Sequence, residues 1–465
     1  MAKPTSNPPL RPCHVLISGA GIAGLTLALA LEKNNITFTL LESYPEIIPQ
    51  VGAGICLLPN GLRILDQLGV YDDLKDRVKD VLETVSIRDP EGKTLHFSSG
   101  WETIMSERWG YAGIWCDRST ILQTLYDHIR DKSRILANKR LDSVVYTEKN
   151  VQVTTADGSV YKGDILIGTD GTHSRVREEM VRLAREAGAG EAYADDDVTA
   201  TYACLFGLSS STPGLTKGLL GWNLGKNFSY IIGTGPKDRT YWLLSQKLDQ
   251  TYHGREIPRF TDEDQERFVK EHWDDQITET LRLSDLYESR KHLVCKPLRE
   301  VIWKKWWFGR AVVLGDAGHA MLPIIAQGGN QAIESVAAIT NALLAALARP
   351  SLHNSDEDGD GDFGSLSQEE IDSLFKQFQS ARESRVSEIA SVGRIRQQMD
   401  AMETPELEEL MLGKFPSMLP GGLVERWDET FAPAVSLVSP RGPARVKTFL
   451  YDDEGESVDG QAAKL

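Results

Sequence analysis

The stretch His14-Val15-Leu16-Ile17-Ser18-Gly19-Ala20-Gly21-Ile22-Ala23-Gly24 decides the fold. A short apolar run rich in β-branched residues predicts a buried strand. It runs into Gly-x-Gly-x-x-Gly, after which Leu25, Leu27, Ala28 and Leu31 predict a helix. Gly19 permits the tight turn, Gly21 lets backbone approach a pyrophosphate, and Gly24 allows close packing of helix on strand. The N–H groups and positive dipole end of that helix then face phosphates. A second strand, Thr37-Phe38-Thr39-Leu40-Leu41, delivers Glu42 eighteen residues after Gly24, where an acid accepts hydrogen bonds from a ribose. Strand, glycines, helix and acid together predict a dinucleotide site.

The chain has 465 residues, enough for two or three structural units, and an ordinary globular composition of 41% hydrophobic and 25% charged residues. A formal charge of −16 argues against nucleic acid or an anionic membrane surface as a partner. Met1–Cys13 is polar and proline-rich, without the apolar region of a secretory signal, and no apolar run is long enough to span a membrane. The five cysteines (Cys13, Cys56, Cys116, Cys204, Cys295) are scattered, without Cys-x-x-Cys spacing. They predict reduced thiols in a cytoplasmic protein and no zinc site.

Turn chemistry at Asp89-Pro90-Glu91-Gly92 and Ala156-Asp157-Gly158 predicts two hairpins. Residues 198–247 hold several strand-like runs with aromatics, which suggests a second layer or domain. Asp356, Asp358, Asp360, Gly361 and Asp362 match the start of an EF-hand loop, but its closing position is Ser367, so an acidic linker is the expectation and no metal is assigned.

Two further glycine–acid clusters follow buried strands. The first is Gly168-Thr169-Asp170-Gly171-Thr172-His173-Ser174-Arg175, and the second Gly315-Asp316-Ala317-Gly318-His319-Ala320 with Gln327-Gly328-Gly329-Asn330 opening a helix. Asp316 can bond sugar hydroxyls, while the N–H groups of the new helix face a polar ring edge. With the opening stretch, these segments resemble the dinucleotide, DG and GD motifs of single-component flavoprotein monooxygenases, the p-hydroxybenzoate-hydroxylase-like group. The resemblance runs from His14 to Leu347 and is closest to fungal paxilline-type epoxidases. Gly52-Ala53-Gly54-Ile55, Phe206-Gly207-Leu208-Ser209 and Trp307-Phe308-Gly309-Arg310 also carry it.

The resemblance implies an α/β fold: a Rossmann-like FAD-binding domain in three β-β-α layers, an antiparallel-sheet substrate domain, and C-terminal helices. The expected division gives residues 1–84, 101–190 and 298–350 to FAD binding, and 85–100 and 191–297 to the substrate domain. An acidic mobile loop at 351–367, a helical region at 368–450 and a disordered tail at 451–465 complete it. The implied cofactor is FAD, with NADPH as transient hydride donor and dioxygen as oxidant. Glu42 would bind ribose, Ala53 and Gly54 lie along the flavin, and Arg118 face the diphosphate or ribityl chain. Asp316 would take the ribityl side, Gly329 the isoalloxazine edge, and Asp170 would serve FAD and NADPH. The implied reaction is epoxidation or hydroxylation of an apolar terpenoid or alkaloid, with an aromatic hydroxylase as runner-up and a non-catalytic flavin-binding regulator third.

The chain departs from the group where Tyr202-Ala203-Cys204 replaces Tyr-Arg-Cys, whose Arg is assigned a catalytic role. A partner tyrosine on the next strand would be Tyr230, although Phe228 is equally well placed. Loss of a cation at Ala203 predicts a cavity suited to a neutral alkene, in which Ala203→Arg would raise the Michaelis constant.

Overall fold

The computed structural model describes residues 10–49, 54–193, 197–210, 212–349 and 366–457. Its first layer is a six-stranded sheet in the order Trp307–Phe308, Ala311–Val313, Ile165–Gly168, His14–Ser18, Thr37–Leu41, Ile135–Leu136. Every pairing is parallel except that of the edge strand Trp307–Phe308. Parallel strands covered on both faces need continuous apolar runs, and Val15, Leu16 and Ile17 are wholly buried. One face carries the antiparallel sheet of Leu141–Tyr146, Val151–Thr155 and Val160–Gly163. Gly163 comes so close to the central strand that a Cβ there would lie 2.9 Å from the His14 carbonyl oxygen. The other face carries the helices Ile22–Lys33 and Gly328–Leu347, packed on each other. Ile22–Lys33 is apolar nearly all round because it is buried nearly all round.

The second unit is an eight-stranded sheet ordered His319–Ala320, Arg290–Ile302, Thr199–Ser209, Arg239–His253, Phe228–Gly235, Leu219–Leu224, Thr84–Arg88, Thr94–Ser99. The 85–100 hairpin thus extends this sheet, and Leu219–Leu224 pairs with Thr84–Arg88 in parallel. Strand alternation gives the sheet two apolar faces. Cys204, Leu220, Trp222, Ile231 and Leu243 share one, and Ala203, Leu205, Tyr230, Ile232 and Leu244 the other.

The helix Gln368–Asp400 starts with a capping box, in which Ser367 accepts from the Glu370 N–H and Glu370 accepts from the Ser367 N–H. It packs along Gly328–Leu347 and crosses to the large sheet. The helix Gly421–Phe431 closes the same side through Trp427, whose ring lies 5.1 Å from Trp101 and 5.8 Å from Trp109. The EF-hand-like aspartates and most of the expected acidic loop lie outside the described residues. The tail expected from Tyr451 is corrected at its start. Tyr451 is buried, its hydroxyl donates to the Trp109 carbonyl oxygen at 2.9 Å, and Arg63 lies 4.1 Å over its ring. No described helix is long and apolar enough to cross a membrane.

Candidate active site

A cavity of about 650 Å³ lies between the two units. Its floor is the glycine turn of the first strand. Gly19 has φ of +100°, and a Cβ there would meet the Thr169 carbonyl oxygen at 2.8 Å. A Cβ on Gly24 would lie 1.9 Å from the Gly19 carbonyl oxygen, so the helix reaches the strand only because residue 24 is glycine. Gly21 lines the cavity, and a Cβ there would stand 3.4 Å from the Arg118 guanidinium. Arg118 opens the helix Arg118–His128 behind the short strand Ile114–Asp117. It is exposed to the cavity and makes no hydrogen bond or ion pair among the described residues.

Asp316 is likewise exposed to the cavity without a hydrogen-bond partner among the described residues. Its recessed position raises its carboxyl above the usual range, opposed by the Arg118 charge. The same recess lowers the Arg118 pKa, opposed by Asp316 and then Glu42. Gly328 and Gly329 open the helix Gly328–Leu347, which no side chain caps, so its first N–H groups are left for a partner in the cavity. A Cβ on Gly329 would press on Ile55 at 2.7 Å. Gly54 also lines the cavity, and a Cβ there would strike the Tyr241 ring at 2.4 Å. Ala53 lies outside the described residues.

Glu42 is 8% exposed and already well used. Oε2 accepts from the Ala20 N–H at 2.6 Å, and Oε1 accepts from the Tyr44 N–H at 2.9 Å and the Ser43 hydroxyl at 3.0 Å. It fastens the glycine turn to the second strand, and a carboxylate's roughly four acceptor positions leave about one for a ligand. Ser43 and Tyr44 lead into a second cavity of about 360 Å³, lined also by Gly19, Lys139, Arg140 and His173.

Two expectations, those for Tyr230 and Ala203, are corrected, and that for Asp170 is narrowed. Asp170 lines the second cavity but, like Glu42, has most of its acceptor positions taken: Oδ1 accepts from the Ser174 hydroxyl at 2.6 Å, and Oδ2 from the Arg175 and Val176 N–H groups at 2.8 and 3.1 Å. It holds the start of the helix Arg175–Glu186, while its neighbours Gly171 and His173 line the two cavities. Tyr230 is not in the cavity. It lies on the far face of the large sheet, and its hydroxyl donates to Asp275 Oδ2 at 2.8 Å. Ala203 lies on that far face too, wholly buried, so the residue there does not set the charge of the cavity. Strand parity is the reason, since Phe206, Ile231 and Leu243 face the cavity and their neighbours cannot.

What the sequence reading missed comes from the C-terminal helices. Val392, Ile395, Arg396, Met399, Phe415 and Leu423 form a wall of the cavity. Behind the glycine helix lies a buried polar network. Both Arg382 and Arg385 bind the Glu334 carboxylate, at 2.7 and 2.6 Å, and Asn60 donates to it at 2.6 Å. Burial would raise the Glu334 carboxyl, but Arg385 and Arg382 outweigh it and hold the group at about 2. His319 adds Nε2 to Ser335 at 3.0 Å, and burial followed by the Arg382 charge pulls its pKa down to about 3. No periodicity signals such a network, because a Glu and two Arg in helices read as surface residues.

Residues 12–358 match the family described as FAD binding domain, and the chain belongs to it. It is 37% identical over 416 residues to the FAD-dependent monooxygenase spyC of Aspergillus fumigatus, covering 88% of this chain and 83% of that protein. To the FAD-dependent monooxygenase penM of Penicillium crustosum it is 35% identical over 381 residues, covering 82% and 77%. The match to the FAD-dependent monooxygenase anuJ of Penicillium roqueforti, 38% over 352 residues, covers 73% of this chain but only 43% of that longer protein. Klebsiella pneumoniae HpxO complexed with FAD and uric acid has the same fold, with a TM-score of 0.70 at 19% identity over 91% of this chain and 97% of that one. The chain is therefore an FAD-dependent monooxygenase of the fungal secondary-metabolism type. The unpartnered Arg118 and Asp316 and the glycine cradle suit FAD, a ligand with both phosphate and polyol groups.

Proposed function

We propose that this enzyme uses NADPH and dioxygen to insert one oxygen atom into an apolar terpenoid or alkaloid, by epoxidation or hydroxylation. The observation that carries the reading is the continuity of the cavity. It runs without a break from Gly21, Arg118 and Asp316 to an apolar wall of Leu220, Trp222, Ile231 and Leu243. In this reading Glu42 receives the adenosine ribose, Arg118 the diphosphate and Asp316 the ribityl hydroxyls. The N–H groups at Gly328 and Gly329 would hold the ring edge, and Gly54 would lie beside it. Bound flavin would supply the redox chemistry of hydride acceptance and oxygen activation. One oxygen atom enters the substrate, and the other leaves as water with the two electrons from NADPH. The protein positions the reactants and excludes water with the apolar wall.

Support for the nicotinamide donor comes from charge. Arg259, Lys296 and Arg299 make no ion pair among the described residues, in a chain of formal charge −16. They lie close enough to His173 that, after burial, they are what holds its pKa below the usual value. Such a cluster suits the phosphates of a transient dinucleotide. The test is aerobic incubation of the FAD-loaded protein with NADPH and extracts of the producing pathway, followed by mass spectrometry. A product heavier by one oxygen, with stoichiometric NADPH loss, is expected. NADPH oxidation with no oxygenated product from any extract, or a native substrate that is a small ionised aromatic acid, overturns the reading.

A further inference from the structure

Arg396, on the helix Gln368–Asp400, lines the substrate side of the cavity. Its position is fixed from three directions. Nε donates to Asp400 Oδ1 at 2.7 Å, and the guanidinium carbon stands 4.8 Å from the Trp222 ring and 5.1 Å from the Phe415 ring. Both distances lie within the range of a cation–π contact. The side chain is 15% exposed. Its Nη2 is buried with no hydrogen-bond partner among the described residues, and so are Nε1 of Trp222 and Oδ2 of Asp400, the second oxygen of the carboxylate with which Arg396 is ion-paired. Around them Ile395, Met399, Leu410, Met418 and Leu419 line the cavity with side chains that carry no oxygen.

An N–H withdrawn from water without an acceptor is costly, and more so when it is charged. Here two such donors belong to stacked residues at one end of an otherwise apolar chamber. Arg426 is no equivalent, because its side chain is 59% exposed. We infer that Arg396, with Trp222 Nε1, recognises an oxygen acceptor on the substrate, a carbonyl or carboxylate on an otherwise apolar skeleton. This rests on the proposed function and adds a polar anchor to it. The acceptor would be held at the end of the chamber formed by the C-terminal helices, leaving the apolar body to run toward the cofactor side. The cation that the sequence reading found missing at Ala203 is then supplied from a different element.

The test uses the FAD-loaded full chain and three probes with one terpenoid skeleton: farnesoic acid, farnesylacetone and farnesene. Dissociation constants are measured by calorimetry. The acid or the ketone should bind at least about tenfold more tightly than the hydrocarbon, a charge-assisted hydrogen bond contributing on that order. Which of the two is favoured distinguishes a carboxylate from a carbonyl anchor. Arg396→Met should abolish the preference while leaving farnesene affinity and FAD content unchanged, and Arg396→Lys should restore part of it. Should Arg396→Met fail to fold, Trp222→Phe decides, since it keeps the ring and removes the donor. A weaker hold on the oxygenated probe, with farnesene unchanged, is then expected. Equal affinities in the parent chain, no binding of any probe, or a variant that weakens all three alike overturns the inference. Oxygen insertion is scored separately: probe discrimination without any oxygenated product sinks the proposed reaction alone, and oxygenation without discrimination sinks only the anchor.

Discussion

On the cofactor side of the cavity the surface is made by backbone: the Gly19 turn, the Gly24 contact, and the N–H groups at Gly328 and Gly329. On the substrate side it is made by side chains, and they come from two distant parts of the chain: residues 206–243 and the C-terminal residues 392–430. Backbone surfaces require particular residue types at fixed offsets, because only glycine fits where a Cβ would collide. Side-chain surfaces require only that something of suitable size point inward. The first kind leaves a motif, and the second leaves ordinary amphipathic patterning.

The joint between these regions is the network around Glu334, which ties the glycine helix to the long C-terminal helix. Its rupture is the largest effect expected. Glu334→Ala strands Arg382 and Arg385 in the interior, and breaking a buried pair in this way costs about 3–5 kcal/mol. Chemical denaturation should show that loss. If the joint holds the two walls together, FAD retention and substrate affinity should fall together. A variant that loses one and keeps the other would show the walls to be independent. The pH dependence has a definite sign. Because the carboxyl is held down at about 2 against an ordinary 4.5, its contribution is complete above about pH 4.5 and is lost as pH falls toward 2.

Next in size is Gly24→Ala. A methyl group 1.9 Å from the Gly19 carbonyl oxygen meets backbone and cannot be relieved by a rotamer change. Overpacking of this kind costs about 1–3 kcal/mol, and more than offsets the better helix propensity of alanine. Stability and FAD content should both drop. An unperturbed, fully yellow variant would mean that the helix is not pressed on the strand as described.

Glu42→Ala should weaken FAD binding by about 1.5–3 kcal/mol, measured by equilibrium dialysis of the flavin. Part of this comes through the turn itself, because Glu42 holds the Ala20 and Tyr44 N–H groups. Glu42→Gln tests that division, since its amide oxygen can keep the Ala20 contact while losing the charge. If both variants bind FAD like the parent, Glu42 is a structural residue only.

The contrast between the walls also explains what could be read from the sequence. Gly21, Arg118, Asp316 and Gly329, singled out by motif and resemblance, line the cavity, and Gly19 and Gly24, singled out in the same way, hold its turn. Asp170 sits in the loop expected of it and lines the second cavity, and its carboxylate also serves the start of the next helix, a use that no motif announces. Arg396 and the Glu334 network were not legible. Nothing in a 33-residue amphipathic helix marks which arginine faces a cavity, and contacts across 48 or 51 residues of sequence have no local signature. The reading of Ala203 and Tyr230 failed on parity, since strand register cannot be fixed to one residue from pattern alone where both sheet faces are apolar.

That failure supplies the smallest and sharpest test. Tyr230 and Ile231 are neighbours on one strand, yet Ile231 lines the cavity and Tyr230 packs with Phe228 and His272 behind the sheet. Burial, and then the Asp275 charge, raises the Tyr230 phenol well above its usual value, so at neutral pH it is a neutral donor with no path to a substrate. Tyr230→Phe removes one hydrogen bond, to Asp275, and should cost about 1 kcal/mol of stability. Turnover number and Michaelis constant should stay at parent values. Ile231→Ala leaves the far face alone and widens the cavity, so it should raise the Michaelis constant while leaving FAD content unchanged. Steady-state kinetics on the two variants reads the parity directly. Abolished turnover in Tyr230→Phe, beside an indifferent Ile231→Ala, would reverse the two faces and return the tyrosine to the chemistry.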